Sequence, residues 1–212
     1  NRSTAPRFSG VTGQGYGQRV QIERLTAERG HWPVRGGEPS ARSPRWNRLN
    51  QRATDGHASD YLYIRGHLLN HNLDGPGNMW ENLAPITQTA NNRGSGSMLH
   101  AFENRVKGTV DERGADGSLG QTANFEVRAN YSGRSRSGDL SSIETELARP
   151  SPFRPADELR RIREIVTEEQ FLPDSVTCSA DLIHANGNRE QVRAVVHNTI
   201  TTNWREYTLV NR

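Results

Sequence analysis

Apolar positions along this chain come in short, separated groups, and the spacing inside each group predicts a different element. Phe125, Val127, Ala129 and Tyr131 alternate with polar residues, the period-two pattern of a strand with one buried face. Val20, Ile22 and Leu25 predict a shorter strand. The run YLYIRGHLL at 61 to 69 is aromatic, β-branched and apolar, which favours another. LDGPGN at 73 to 78 closes it as a turn, and NLAPI at 82 to 86 predicts a further extended piece. Helical spacing appears twice. Leu99, Phe102 and Val106 share a face of a helix from Met98 to about Lys107, with Ser97 as its N-cap. Leu159, Ile162, Ile165 and Val166 recur in a helix opened by Pro155, Ala156 and Asp157 and stopped by Pro173. Near the C-terminus, SVTCSADLIHA and REQVRAVVHNTI flank Asn186-Gly187, which predicts a hairpin with a type I′ turn.

Between these groups the chain reads as loop. Residues 1 to 17 are rich in Gly, Ser and Arg without periodicity and read as a mobile lead-in. HWPVRGGEPSARSP reads as loop, with Trp46 and Leu49 anchoring a short element after it; DERGADGSLG and SGRSRSGD read as connections. The expected fold class is therefore α+β with an antiparallel sheet and flanking helices. The expected organisation is an Arg-rich, largely irregular N-terminal arm at 1–56 and a folded domain at 57–212.

Composition narrows this. Of 212 residues only 32% are hydrophobic and the mean hydropathy is −0.85, so the core is lean. No run of about 18 apolar residues exists that would span a membrane. Lys107 is the only lysine among 27 basic residues, and guanidinium groups match phosphate oxygens as ammonium groups do not. Residues 1 to 56 carry ten Arg against Glu23, Glu28, Glu38 and Asp55, a net +6, which leaves −3 for the rest of a chain whose total is +3. The lone cysteine, Cys178, excludes an intramolecular disulfide and a thiolate-rich metal site. A first residue of Asn, with no signal-peptide pattern, leads us to expect a piece of a longer polypeptide or a mature product.

The chemistry concentrates in YIRGHLLNHNLDGPGNMWENLAPITQTANN and the following GSGSMLHAFENRVK. An Arg-Gly-His on a strand, an Asn-x-x-Pro, a second Asn nine residues after the first and a Glu in the next helix supply what phosphodiester hydrolysis needs. A neutral imidazole takes a proton from water, an arginine neutralises developing charge, and amide and carboxylate oxygens suit a hard cation.

These residues resemble the signature of the ββα-metal (His-Me finger) nucleases, in the branch of DNA/RNA non-specific endonucleases, over about 45 residues. The resemblance implies a ββα-metal core with His67 as general base, Arg65 on the scissile phosphate and Asn82 bracing the site. It also implies Asn91 as ligand to Mg²⁺ (or Mn²⁺) and Glu103 holding the metal's waters. The chain departs from the pattern in three places: Ile64 stands where an acid precedes Arg-Gly-His, Ile86 replaces Gln, and twelve residues, including GSGS at 94 to 97, separate Asn91 from Glu103. If all twelve were helical they would span about 18 Å, so a shared cation requires the Gly-Ser segment to fold back, and Asn92 rivals Asn91.

The variant spelling of the window resembles nuclease modules at the C-terminal end of bacterial toxins. That implies a secreted or injected effector with a nucleic acid substrate and a cognate immunity or inhibitor protein. The alternative is a module of the same fold that binds nucleic acid without cutting it. A zinc pair of His67 and His71 requires a helix where a strand is expected. Cys178, His184 and His197 read as ordinary sheet residues.

Overall fold

Alternating burial builds the main layer, and its register fixes which face each side chain takes. The computed structural model describes residues 2–29, 32, 35–132, 137–149 and 154–212. In chain order the elements are β1 (Arg7–Phe8), β2 (Arg19–Leu25), α1 (Pro44–Leu49), β3 (Arg52–Thr54), β4 (His57–Tyr61), β5 (Tyr63–His67), β6 (Leu83–Thr87), α2 (Gln88–Asn91), α3 (Asn104–Asp111), β7 (Gln121–Asn130), α4 (Ser137–Leu147), α5 (Ala156–Glu169), β8 (Ser175–Ile183), β9 (Arg189–His197) and β10 (Thr208–Leu209). The architecture is α+β with antiparallel sheets: five strands in the order β1-β2-β7-β8-β9, three in the order β10-β3-β4, and the two-stranded β5-β6.

Val20 and Ile22 on β2, Phe125 and Val127 on β7, and Val176, Cys178, Ala180 and Leu182 on β8 all face inward, against Phe102, Val106 and Val110 from the helix after residue 97. Ile86 and Ala84 of β6 join the same core, so the β5-β6 pair is seated on it. The apolar face of α5, Leu159, Ile162, Ile165 and Val166, packs instead with Ile143, Trp204 and Tyr207 in a second cluster.

Several expectations change. Within the expected lead-in, residues 2 to 17 are tied to the sheet: β1 pairs with β2, Ser3 bonds Thr26, and Tyr16 is fully buried. The expected arm at 1–56 includes β1, β2, α1 and β3 between its irregular stretches, and the β3-β4 pairing crosses residue 56. The arginines of this segment are mostly occupied: Arg7, Arg19, Arg29, Arg45, Arg48 and Arg52 each pair with a carboxylate. The run 61 to 69 divides, because β4 ends at Tyr61 in one sheet and β5 begins at Tyr63 in another. The SGRSRSGD connection gives way to α4 from Ser137; its residues 133 to 136 lie outside the described ones. At the last hairpin a turn closes through Gly187 N–H to His184 O at 2.9 Å, and His184 N–H reaches Asn188 O. Gly187 takes the left-handed conformation (φ 86°) while Asn186 does not, so the turn is not type I′.

Candidate active site

The β5-β6 hairpin sets two reactive side chains side by side. Arg65 pairs with Pro85, Gly66 with Ala84 and His67 with Leu83. Gly66 is demanded by close packing: a β-carbon there would lie 2.5 Å from Ile86 Cδ1 and 3.3 Å from Asn91 Oδ1. Ile64 and Ile86, the two departures noted above, are register partners across β5 and β6, and Ile64 packs against the core cluster that holds Ile86.

Beyond β5 the chain is fixed by Asn82, which is fully buried. Its Oδ1 accepts from Leu69 N–H at 2.8 Å, and its Nδ2 donates to Leu69 O and Pro76 O, both at 3.0 Å. This clamps the turn after His67. Gly75 tightens it further, since a β-carbon there would meet Leu69 O at 1.6 Å.

The twelve-residue interval folds back on itself. Thr87 caps α2, which ends at Asn91; Gly94 turns left-handed (φ 87°), and Ser97 N–H bonds Gly94 O at 3.2 Å. Ser97 Oγ then accepts from His100 N–H at 3.3 Å, and the helix opens with a π-helical turn at Leu99–Glu103 before α3. Met98 is buried where Leu99 was expected to be.

As a result Arg65, His67, Asn91 and Glu103 line one cavity of about 310 Å³, together with Glu38, Asn70, His71 and the exposed Asn92. Asn82 stands outside that lining, behind the turn it clamps.

His67 Nε2 lies 2.9 Å from Gly37 O. A carbonyl oxygen only accepts, so Nε2 carries the proton and Nδ1 keeps its lone pair. Burial lowers the His67 pKa below 6.5, with His71 adding to the fall and the Gly37 bond and Glu38 opposing it, which favours the neutral ring. Arg65 Nη1 donates to Ala41 O at 2.5 Å, and its guanidinium lies 5.4 Å from the Trp46 ring centre. Burial and the nearby Arg42 lower its pKa, yet a guanidinium stays charged. Gly37 and Ala41 belong to a strap held at the 75 to 77 turn, through Gly37 N–H to Gly75 O and both Ser40 and Ala41 N–H to Gly77 O. Sequence reasoning missed this strap because its contribution is backbone carbonyls.

Glu103 is 8% exposed, and burial pushes its pKa up to about 7 against the opposing hydrogen bond from Asn70. Among the described residues that bond, Asn70 Nδ2 to Oε2 at 2.9 Å, is its only hydrogen bond, and no cationic side chain pairs with it. Asn70 was also missed; its signal was an Asn directly before the turn sequence HNLDG.

The donor set fits one metal chemistry better than another. No group of three or more His, Cys, Asp and Glu among the described residues could hold a metal, so a closed zinc site from His67 and His71 does not fit. One buried carboxylate and nearby amide oxygens suit a hard cation that keeps most of its waters. Elsewhere, Cys178 is buried in the core, His197 is exposed, and His184 binds Glu112 and Glu190 at the hairpin tip.

No protein-family model matches the chain, and no curated protein matches it. Among solved structures it is similar to an extracellular endonuclease, with a TM-score of 0.51 and 11% identity over 99% of this chain and 87% of that one. An extracellular nuclease follows at a TM-score of 0.49 and 12% identity, over 94% of this chain and 86% of that one. At that identity the first likeness establishes a shared fold. No helix among the described residues is long and apolar enough to cross a membrane.

Proposed function

We propose that this protein is a cation-dependent endonuclease that hydrolyses phosphodiester bonds of DNA, and of RNA as a further substrate. The observation that carries the proposal is the cavity itself: an imidazole tied through Nε2 to Gly37 O, a guanidinium, and a buried carboxylate that no cation among the described residues pairs with. The fold shared with a protein named as an extracellular endonuclease supports the same reading.

His67 accepts a proton from water at Nδ1, while the Gly37 carbonyl holds Nε2–H and so keeps the base at the other nitrogen. Arg65 offers its remaining N–H groups to the phosphate, its Nη1 being anchored by Ala41 O. Asn82 keeps the turn behind His67 rigid. Asn91 and Glu103 would hold Mg²⁺ (or Mn²⁺), which when bound supplies stabilisation of the charge that builds on the phosphate oxygens and the leaving group.

The test is supercoiled plasmid incubated with the purified protein and Mg²⁺. Cleavage that EDTA abolishes and Glu103→Gln strongly slows is the expected result. Shifted but uncut plasmid across Mg²⁺ and Mn²⁺ would instead identify a nucleic-acid-binding module.

The resemblance to toxin-borne nuclease modules extends the proposal to a secreted or injected effector, with an inhibitor protein guarding the producing cell. Expression of this chain alone inside a bacterium should then stop growth, and His67→Ala should restore it.

A further inference from the structure

We infer that Asn70 is a positioning residue that fixes the rotamer of Glu103, leaving Oε1 of that carboxylate for the waters of the bound cation. This rests on the reading of Glu103 given above. Asn70 caps the short turn His71–Leu73, with its Oδ1 accepting from Asn72 N–H at 2.8 Å. Its carbonyl oxygen accepts from Leu73 N–H and Gly75 N–H, both at 2.9 Å, so its backbone is tied as firmly as its side chain. The residue before it, Leu69, is clamped at both N–H and C=O by Asn82.

The carboxamide therefore has one admissible orientation. Flipped, it would set an NH₂ group against the Asn72 N–H and an oxygen against the Glu103 carboxylate, two repulsions in place of two hydrogen bonds. In the observed orientation Nδ2 meets Glu103 Oε2 at 2.9 Å. Oε1 has no hydrogen-bond partner among the described residues, and Asn70 and Glu103 line the same cavity.

The donor is also of a particular kind. A neutral amide orients a carboxylate without neutralising it, whereas a lysine or arginine here would compete with the cation for the same charge. Asn70 further joins the turn after His67 to the π-helical turn that bears Glu103, so base and carboxylate are set by one connected unit.

The test is Asn70→Ser, in which the hydroxyl still accepts from Asn72 N–H but cannot reach Glu103. Mn²⁺ binding to the full chain without nucleic acid is followed by electron paramagnetic resonance, with the melting temperature and the KM for DNA measured alongside. The expected result is Mn²⁺ affinity about 10- to 100-fold weaker, with KM unchanged, kcat reduced and a cooperative melting transition retained. Affinity within threefold of wild type, while Glu103→Gln abolishes binding, overturns the role of Asn70 and leaves the proposed function standing. Wild-type affinity in Glu103→Gln itself overturns the reading of Glu103, and this inference with it. Should Asn70→Ser not fold, Asn70→Thr retains the same acceptor and makes the same test.

Discussion

Two of the buried glutamates, Glu169 and Glu103, are held in opposite ways. Glu169, 2% exposed, accepts from Arg52 Nη1 at 2.6 Å, from Tyr63 OH at 2.5 Å and from Tyr207 OH, while Arg52 stacks 3.5 Å over the Tyr207 ring. That cluster joins β3, β5 and α5 to the C-terminal segment with its charge cancelled internally. Glu103, 8% exposed, receives one hydrogen bond among the described residues, from a neutral amide, and burial pushes its pKa up to about 7. A carboxylate that serves the fold carries its cation with it. Glu103, which we propose serves chemistry, is oriented by an amide and has no paired cation among the described residues.

Breaking the internally paired glutamate should have the largest effect. Arg52→Met strands a buried carboxylate and should lower unfolding free energy by about 3–5 kcal/mol in denaturant titration. Glu103→Gln should act in the opposite sense. The native carboxyl, with its pKa pushed up to about 7 from 4.5, holds a proton that the unfolded chain releases earlier. It therefore contributes stability present below about 4.5 and lost as pH rises through about 7, on the order of 3 kcal/mol. Glu103→Gln should remove that slope and be the more stable protein at pH 8, and Mg²⁺ should raise the melting temperature of wild type but not of the variant.

Asn82→Ala, which leaves Leu69 and Pro76 backbone groups unpaired, should cost about 1–3 kcal/mol. Its loss of activity should exceed what the remaining folded fraction explains. The smallest effect belongs to His184, whose pKa is raised by Glu112 and then Glu190. Its contribution is complete below 6.5 and fades as pH rises through the higher folded value. His184→Gln should therefore lower the melting temperature slightly at pH 6 and not at pH 9.

The strands and helices that the sequence made legible are those whose own side chains repeat: β7 alternates cleanly, and α5 shows its apolar face at helical spacing. Tyr16 and Ser3 gave no such signal because their partners lie far along the chain, and the lead-in has no face of its own to bury. Leu140, Ile143 and Leu147 on α4 are helically spaced, but the preceding Gly, Ser and Arg obscured them. In the candidate site, side-chain chemistry at fixed spacing was readable: Arg65, His67, Asn91 and Glu103 reach one cavity. Gly37 was not, since its contribution is a carbonyl delivered from thirty residues away. Nor was Asn70, whose bond to Glu103 depends on a turn and a helix meeting.

We propose that His67, held in one tautomer by Gly37, is the base of a phosphodiester hydrolase. The direct measurement is the single-turnover cleavage rate of supercoiled plasmid at saturating Mg²⁺ and pH 7.5, for wild type and for His67→Ala. A fall of about 10²- to 10⁴-fold in a variant that melts like wild type is the result we predict. Equal rates, or plasmid left intact by both proteins, would contradict it.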